Sequence, residues 1–116
     1  MTTPLRDRHC QALPAGTPPL AAEKAVALLS QLSSHTWRIS DDGKSLRRAF
    51  KFKDFHRTMA FLNAVAWIAN AEDHHPDFEA GYNYCRMEFS THSVGGLSEN
   101  DFICAAKVDA LLAAGG

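Results

Sequence analysis

The chain has 116 residues, a length that suits one domain with a single hydrophobic core. Its 46% of hydrophobic and 22% of charged residues are typical of a globular protein, and a formal net charge of −1 excludes a bulk attraction to nucleic acid or anionic membrane. The apolar runs are shorter than the roughly 18 residues that span a bilayer, and the N-terminus lacks an apolar stretch of signal-peptide length. Three cysteines without a CxxC pair favour free thiols in a reducing compartment, so we expect a cytoplasmic protein.

The N-terminal part is predicted to hold a leader and one helix. Residues 1–16 mix charge, Pro14 and Gly16 without apolar periodicity, so we interpret them as a mobile leader ahead of a single domain over residues 17–116. Proline is tolerated in the first turn of a helix, and Thr17-Pro18-Pro19 therefore predicts a helix start. Apolar residues at helical spacing extend this helix to about Ser33.

Two β-strands are predicted next. Residues 36–40 and 46–53 are rich in β-branched, aromatic and alternating residues, and Asp42-Gly43 between them tolerates the positive φ of a tight turn. In the second strand Leu46, Phe50 and Phe52 share one face. The pair is therefore predicted to form an antiparallel hairpin with one buried face.

The longest helix is predicted to begin after Asp54, whose carboxylate can accept hydrogen bonds from the first unpaired N–H groups. It is expected to run for about 18 to 20 residues and to end before Pro76, because proline cannot continue a helix. Both His74 and His75 are thereby placed at the helix exit. The predicted buried face consists of Phe55, Met59, Leu62, Ala66 and Ala69, widened by Phe61, Val65 and Ile68.

Alternating residues after Pro76 predict a second strand pair that ends at Thr91-His92. A capping box follows, with Ser98 at the cap and Asp101 three residues on, and it opens the last helix. The predicted order is thus α-β-β-α-β-β-α. We predict an α+β fold in which a four-stranded antiparallel sheet carries three helices on one face, since this arrangement buries every apolar stripe. The other face is left to solvent or to a partner subunit.

Three histidines carry the functional prediction: His74, His75 and His92. An unperturbed imidazole titrates at about pH 6.5, so three of them in one cleft can supply both a proton donor and a proton acceptor at neutral pH. Asp101 and Glu72 are candidates to orient an imidazole or to raise its pKa. For Asp101, helix capping is an equally good and compatible interpretation, and for Glu72 a solvated helix face is the better one.

The spacing of these residues resembles the signature of the pterin-4a-carbinolamine dehydratase family. The matching pattern is His74-His75-Pro76, Tyr82 after five intervening residues, His92 after nine more and Asp101 after a further eight. The resemblance spans about residues 20–112 and includes Trp37, Lys53-Asp54-Phe55 and the run from Gly96 to Asp101. Many members have a glutamate four residues before the first histidine of the motif. This chain has Asn70 there, and a neutral amide cannot act as a carboxylate base.

The resemblance implies a hydro-lyase that removes water from 4a-hydroxytetrahydrobiopterin to give the quinonoid dihydropterin. That reaction recycles the pterin cofactor of aromatic amino acid hydroxylation, including phenylalanine hydroxylation. The resemblance also implies no metal, no bound cofactor and a homodimer or homotetramer. Carried over residue by residue, it makes His74 and His92 the proton-transfer pair and His75 the group that holds or polarises the pterin. The wider substrate-binding set includes Pro76, Thr91 and Ser93, with Asp101, Glu72 and Tyr82 in support.

Alternatives from other classes stay open. Three histidines beside carboxylates also suit a zinc or iron site, although adjacent histidines in a helix point about 100° apart. A second alternative is a non-catalytic binding or dimerisation module. A local basic cluster consists of Arg47, Arg48, Lys51 and Lys53. Arg48 lies on the opposite strand face from the others, which favours a solvated strand over a nucleic-acid site. The last helix is apolar on more than one face, which suits burial against a neighbouring subunit.

Overall fold

The structure is a computed structural model that describes residues 3–32 and 36–115. Its elements are α1 (Ala22–Leu29), β1 (Arg38–Ile39), β2 (Leu46–Lys51), α2 (Phe55–Glu72), β3 (Asp77–Ala80), β4 (Tyr84–Phe89) and α3 (Glu99–Gly115). Short 3-10 turns lie at Leu5–Asp7 and His92–Val94. Within the described residues, the predicted α+β class with three helices and a four-stranded antiparallel sheet is confirmed.

The first helix is shorter than predicted, since it begins at Ala22 rather than Thr17. The residue before it has φ −65° and ψ 151°, which is an extended conformation. The N–H of Leu20 donates to the carbonyl of Leu97 at 2.9 Å. This bond holds the segment after the two prolines along the loop that precedes α3, so the segment cannot join the helix. Ser33, the predicted helix end, lies outside the described residues.

The four strands form one antiparallel sheet in the order β1-β2-β4-β3. The first hairpin turns through Gly43, whose φ of 74° is the positive value expected from the Asp-Gly step. The central strands β2 and β4 place Leu46 opposite Phe89 and Phe50 opposite Cys85. These four side chains are buried, so the alternation predicted for the second strand is confirmed.

Helix α2 has the predicted cap, and its buried face agrees with the prediction in part. The carboxylate of Asp54 accepts from the N–H of Arg57 at 2.9 Å. The predicted buried stripe is wrong at Phe55, Met59 and Ala66, which are exposed. The prediction is right at Phe61, Leu62, Val65 and Ala69, and it missed one buried residue, Thr58. Because apolar residues occur nearly all round this helix, their periodicity could not select the buried face.

The described part of the leader packs against the domain. Leu5 is 3% exposed and belongs to the hydrophobic core. The N–H of Gln11 donates to Oδ1 of Asn100 at 3.0 Å, and Nδ2 of Asn100 donates to the carbonyl of Gln11 at 2.9 Å. This reciprocal pair fixes the register of the leader on α3. The mobility expected for residues 1–16 stays a prediction, and these are the contacts that such motion would break.

Helix α3 is apolar on several sides, some of which its own chain covers. Its buried residues include Phe102, Ile103, Cys104, Ala105 and Val108. Part of the cover comes from Leu5 and Cys10 of the leader. The chain itself thus covers part of the apolar surface of α3, whereas Leu111 and Leu112 are only half-buried. The expectation that a second side of α3 meets a neighbouring subunit stays a prediction. Exposed aromatic surface lies on α2, where Trp67 is 77% exposed.

Candidate functional site

The chain leaves α2 through a left-handed residue, three positions before the proline. Asp73 has φ 53° and ψ 44°, and the N–H of His74 donates to the carbonyl of Ala69 at 3.1 Å. This pattern closes many helices, because it satisfies one of the terminal carbonyls. His74 and His75 therefore lie beyond the helix. The expectation that they diverge by about 100°, which assumed helical geometry, does not apply to them.

Asp101 is the centre of the hydrogen-bond network that follows. Its side chain is fully buried, and its Oδ1 lies 2.6 Å from Nε2 of His74. Its Oδ2 accepts from Oγ1 of Thr91 at 2.8 Å and from the N–H of Ser98 at 2.9 Å. The bond from Ser98 is the predicted capping-box contact. The carboxylate of Asp101 therefore makes both predicted kinds of contact. It caps α3 through the N–H of Ser98, and it holds the imidazole of His74.

The protons of this network follow from its partners. An ionised carboxylate only accepts, so the hydrogen between Asp101 and His74 is assigned to Nε2 of the imidazole. Thr91 gives its single hydroxyl proton to Asp101, so the Oγ of Ser98, 2.7 Å away, donates to Thr91. His74 then presents Nδ1 for proton exchange. That atom accepts a proton when the ring is neutral and donates one when the ring is charged.

The ring of Phe89 packs beside His74. The two ring centroids are 6.1 Å apart, and the ring planes are within 11° of parallel. The side chain of His74 is 12% exposed. Phe89 and Thr91 are two residues apart on an extended segment, so both point to the side where α3 lies. Nothing in the sequence indicated that Phe89 stacks on His74 or that the hydroxyl of Ser98 bonds to Thr91.

The other predicted groups lie closer to the surface. His75, His92 and Ser93 are exposed, Pro76 is half-buried and Tyr82 is 63% exposed in the turn between β3 and β4. His92 directly follows Thr91 and opens a 3-10 turn. Asp101 bonds to both Thr91 and His74. Asp101 therefore holds Thr91, the neighbour of His92, close to His74.

Glu72 turns toward the leader, and its predicted solvated position is wrong. Its side chain is 7% exposed and accepts from the N–H of Cys10 at 2.7 Å. The Nδ1 of His9 lies 2.8 Å from it, and Nζ of Lys107 lies 3.7 Å away. Burial alone would raise the pKa of Glu72, but the bonds from Cys10 and His9 and the charge of Lys107 outweigh it and hold the pKa below 4.5. Glu72 therefore anchors the leader at the end of α2.

Two of the four residues of the basic cluster pair with carboxylates. Arg47 bonds Glu88 at 2.8 Å, and Arg48, on the other face of β2, bonds Asp109. The Arg47 pair lies at the surface, whereas the Arg48 pair is mostly buried. Both arginines are engaged within the chain, which argues against a nucleic-acid site. Within residues 3–32 and 36–115, no group of three or more His, Cys, Asp and Glu side chains is arranged to hold a metal ion. No helix in the described part is both long and apolar enough to cross a bilayer.

The family of the chain is shown by comparison with known proteins. The family model described as Pterin 4 alpha carbinolamine dehydratase matches residues 18–111. A protein of Legionella pneumophila (strain Corby) is 52% identical over 112 residues, which are 97% of this chain and 98% of that protein. A protein of Nitrosomonas eutropha is 56% identical over 108 residues, 93% of each chain. Both relatives carry a provisional name as pterin-4-alpha-carbinolamine dehydratase.

Two solved structures share the fold. A transcriptional coactivator/pterin dehydratase from Brucella melitensis matches with a TM-score of 0.75 and 32% identity, over 80% of this chain and 97% of that one. A pterin dehydratase-like protein described as a RuBisCO assembly factor in the α-carboxysome matches with a TM-score of 0.59 and 29% identity, over 67% of this chain and 90% of that one. Fold and motif thus define a member of a hydro-lyase family. The chain belongs to the pterin-4a-carbinolamine dehydratase family, as its sequence predicted.

Proposed function

We propose that the chain dehydrates 4a-hydroxytetrahydrobiopterin to the quinonoid dihydropterin. The single observation that carries this proposal is the bond between His74 and the buried carboxylate of Asp101, at the positions that match the family motif. A buried carboxylate that holds one imidazole nitrogen fixes its tautomer and directs the other nitrogen toward a substrate. This arrangement equips a site for proton transfer.

The reaction needs one base and one acid beside a planar bicyclic ring. A proton leaves a ring nitrogen, a C=N bond forms, and the hydroxyl on carbon 4a departs as water after taking up a proton. No electrons are gained or lost. Imidazoles perform both proton transfers near neutral pH, and each transfer contributes typically about 10²- to 10⁴-fold to the rate.

The roles follow from the position of each histidine. His74 exchanges a proton through Nδ1, because Nε2 is engaged by Asp101. His92, exposed at the end of β4, is its partner in proton transfer, and His75 holds or polarises the pterin. The substrate-binding groups around them are Pro76 and the backbone of Thr91 and Ser93, which suits the amide-like edge of a flat heterocycle. Tyr82 supports the rim.

The proposal extends to the setting of the reaction. The product feeds the recycling of a tetrahydropterin consumed by aromatic amino acid hydroxylation, in the cytoplasm, with the chain acting as a homodimer or homotetramer. Glu72 supports the site indirectly, because it fixes the leader at the end of α2, two residues before His74. The division into a leader over residues 1–16 and a domain over residues 17–116 also stays part of the proposal.

The test is the decay of enzymatically generated 4a-carbinolamine, followed by absorbance, with wild type, His74→Ala and His92→Ala. We expect acceleration by the wild type and a loss of about 100-fold or more in each variant. His56→Ala is the matched control, because His56 is exposed in the first turn of α2, about 24 Å of helix away from Glu72. Unchanged decay in both site variants would remove the assignment.

A non-catalytic binding module is the second candidate. It is favoured by the solved relative described as a RuBisCO assembly factor, which shares the fold at 29% identity. The two candidates differ in the same assay. A folded wild-type protein that leaves the carbinolamine decay at its spontaneous rate would favour the binding module.

A further inference from the structure

Two cysteine sulfurs meet where the leader crosses α3. The Sγ of Cys10 lies 3.5 Å from the Sγ of Cys104 and 3.6 Å from the carbonyl oxygen of Asn100. Cys104 is fully buried on α3, whereas Cys10 is half-buried in a segment without helix or strand. The two residues are 94 positions apart in sequence. This contact has no part in the proton-transfer network of Asp101.

We propose that Cys10 and Cys104 form a reversible disulfide that fastens the leader to α3. The geometry supports closure, since a disulfide needs an S–S distance of about 2.05 Å and the sulfurs therefore have to approach by about 1.5 Å. Rotation about the side-chain bonds of Cys10, which is half-buried, supplies this movement without a shift of its backbone. Cys104 can stay in its helical position.

The neighbouring contacts hold Cys10 in place for the reaction. The N–H of Cys10 donates to Glu72 at 2.7 Å, and the next residue, Gln11, forms the reciprocal pair with Asn100. The backbone of Cys10 is thus fixed on both sides. A thiol that is preoriented toward its partner closes a disulfide faster than it captures a second chain, because the effective concentration of the partner is high.

The bond forms by thiol–disulfide exchange with a small-molecule disulfide such as oxidised glutathione. The thiolate of Cys10 attacks one sulfur of the oxidant and releases one glutathione. The sulfur of Cys104 then attacks Sγ of Cys10, and the bond between Cys10 and glutathione breaks. The leaving glutathione thiolate takes up the proton that the Cys104 thiol loses. Two cysteines are oxidised and one small disulfide is reduced to two thiols.

The order of attack follows from the environments of the two thiols. The hydrogen bond to Cys10 and burial both raise the pKa of the Cys104 thiol. The thiolate is the nucleophile, so the half-buried Cys10 reacts first with the external oxidant and Cys104 resolves the mixed disulfide. Cys85 is also buried, and burial raises its pKa to about 11. It provides an internal control without a role in the proposal.

The test is equilibration of the full chain in glutathione redox buffers, followed by acid quench, unfolding and alkylation with iodoacetamide. In the oxidised sample we expect one alkylated cysteine, Cys85, and a linked peptide that contains residues 10 and 104. The melting temperature of the oxidised protein should rise by about 5–15 °C, because closing a long loop restricts the unfolded chain.

Variants separate the pair from the third cysteine. Cys10→Ser, at a half-buried position, should leave both remaining thiols alkylated after oxidation, and Cys104→Ala should do the same for Cys10 and Cys85. Cys85→Ala should form the bond as the wild type does. Three alkylated cysteines in oxidised wild type would overturn the proposal. A chain dimer joined through Cys10, or glutathione retained on Cys10, would overturn it equally.

Discussion

The carboxylate of Asp101 accepts three hydrogen bonds while fully buried, from His74, Thr91 and the N–H of Ser98. A buried carboxylate is tolerated only when its oxygens are paired, and both oxygens of Asp101 have hydrogen-bond partners. The carboxylate is therefore both a structural and a positioning group. Replacing Asp101 is expected to lower both the stability of the fold and the rate of proton transfer. Variants that affect only one of these properties are therefore needed.

Thr91→Val is the residue-scale variant that tests the network without touching a histidine. It removes the hydroxyl that donates to Asp101 and accepts from Ser98. Because a buried acceptor then lacks one partner, we expect the free energy of unfolding to fall by about 1–3 kcal/mol. Thr91→Ser keeps the hydroxyl and is the control. The measurement is urea unfolding, and equal stability of the Val variant and wild type would show that the hydroxyl bond is not needed.

At the scale of single residues, the sequence predicted the cap of α3 but not the partners of Glu72 in the leader. The spacing of Ser98 and Asp101 was enough to predict their bond, because a capping box depends on local separation. Glu72 was misjudged, since its partners in the leader lie far away in sequence. Contacts between residues so far apart in the sequence leave no periodic pattern of apolar and polar residues. Three-dimensional proximity alone shows that Glu72 is buried.

At the scale of elements, the leader behaves as an added layer over α2 and α3. Glu72 and Asn100 bind it through its backbone, and Leu5 enters the core. The sequence could not predict this docking, because residues 1–16 have no periodicity. The exposed face of α2 was also mispredicted. Thr58 could be buried there because its hydroxyl lies 2.9 Å from the carbonyls of Asp54 and Tyr82.

The lowered pKa of Glu72 predicts a pH dependence of this docking. A carboxyl whose folded pKa is below its unfolded value stabilises the fold above the unfolded pKa and loses that contribution as the pH falls through the folded pKa. Wild type should therefore be more stable than Glu72→Gln at pH 6 to 7, with a difference that shrinks as the pH falls below about 4.5. Thermal unfolding across pH measures this difference.

Glu23→Gln is the matched control, because Glu23 is an exposed carboxylate in the first turn of α1. Its stability curve is expected to follow that of the wild type. A stability difference between wild type and Glu72→Gln that stays constant from pH 7 to pH 3 would contradict the assigned role of Glu72.

For the whole molecule, the sequence predicted class, order and family, because these depend on patterns repeated along the chain. The exposure of the outer face of α2 was not predicted. The outer face of α2, which we define as Phe55, Met59, Ala66 and Trp67, is exposed, although three of these side chains are large and apolar. An exposed apolar patch of this kind is typical of an interface. The outer face of α2 is therefore a second candidate surface for the predicted homodimer or homotetramer, beside the predicted contact through α3.

Trp67→Lys tests this expectation. Trp67 is 77% exposed, so its replacement should change the stability of a single chain by less than about 0.5 kcal/mol. A buried charge at an interface should weaken association by about 100-fold or more. Light scattering across micromolar concentrations measures the mass of the assembly. Val26→Lys, which alters an exposed apolar residue on α1, is the control, and a wild-type monomer would contradict the prediction.

The most direct test is a double-mutant cycle on the rate of carbinolamine dehydration, using wild type, His74→Ala, Asp101→Asn and the double variant. If Asp101 acts through the imidazole it holds at 2.6 Å, removing either group should cost about 100-fold or more. The double variant should then be hardly slower than His74→Ala, because the carboxylate has no imidazole left to position. Losses that multiply in the double variant, or full activity in Asp101→Asn, would contradict this account.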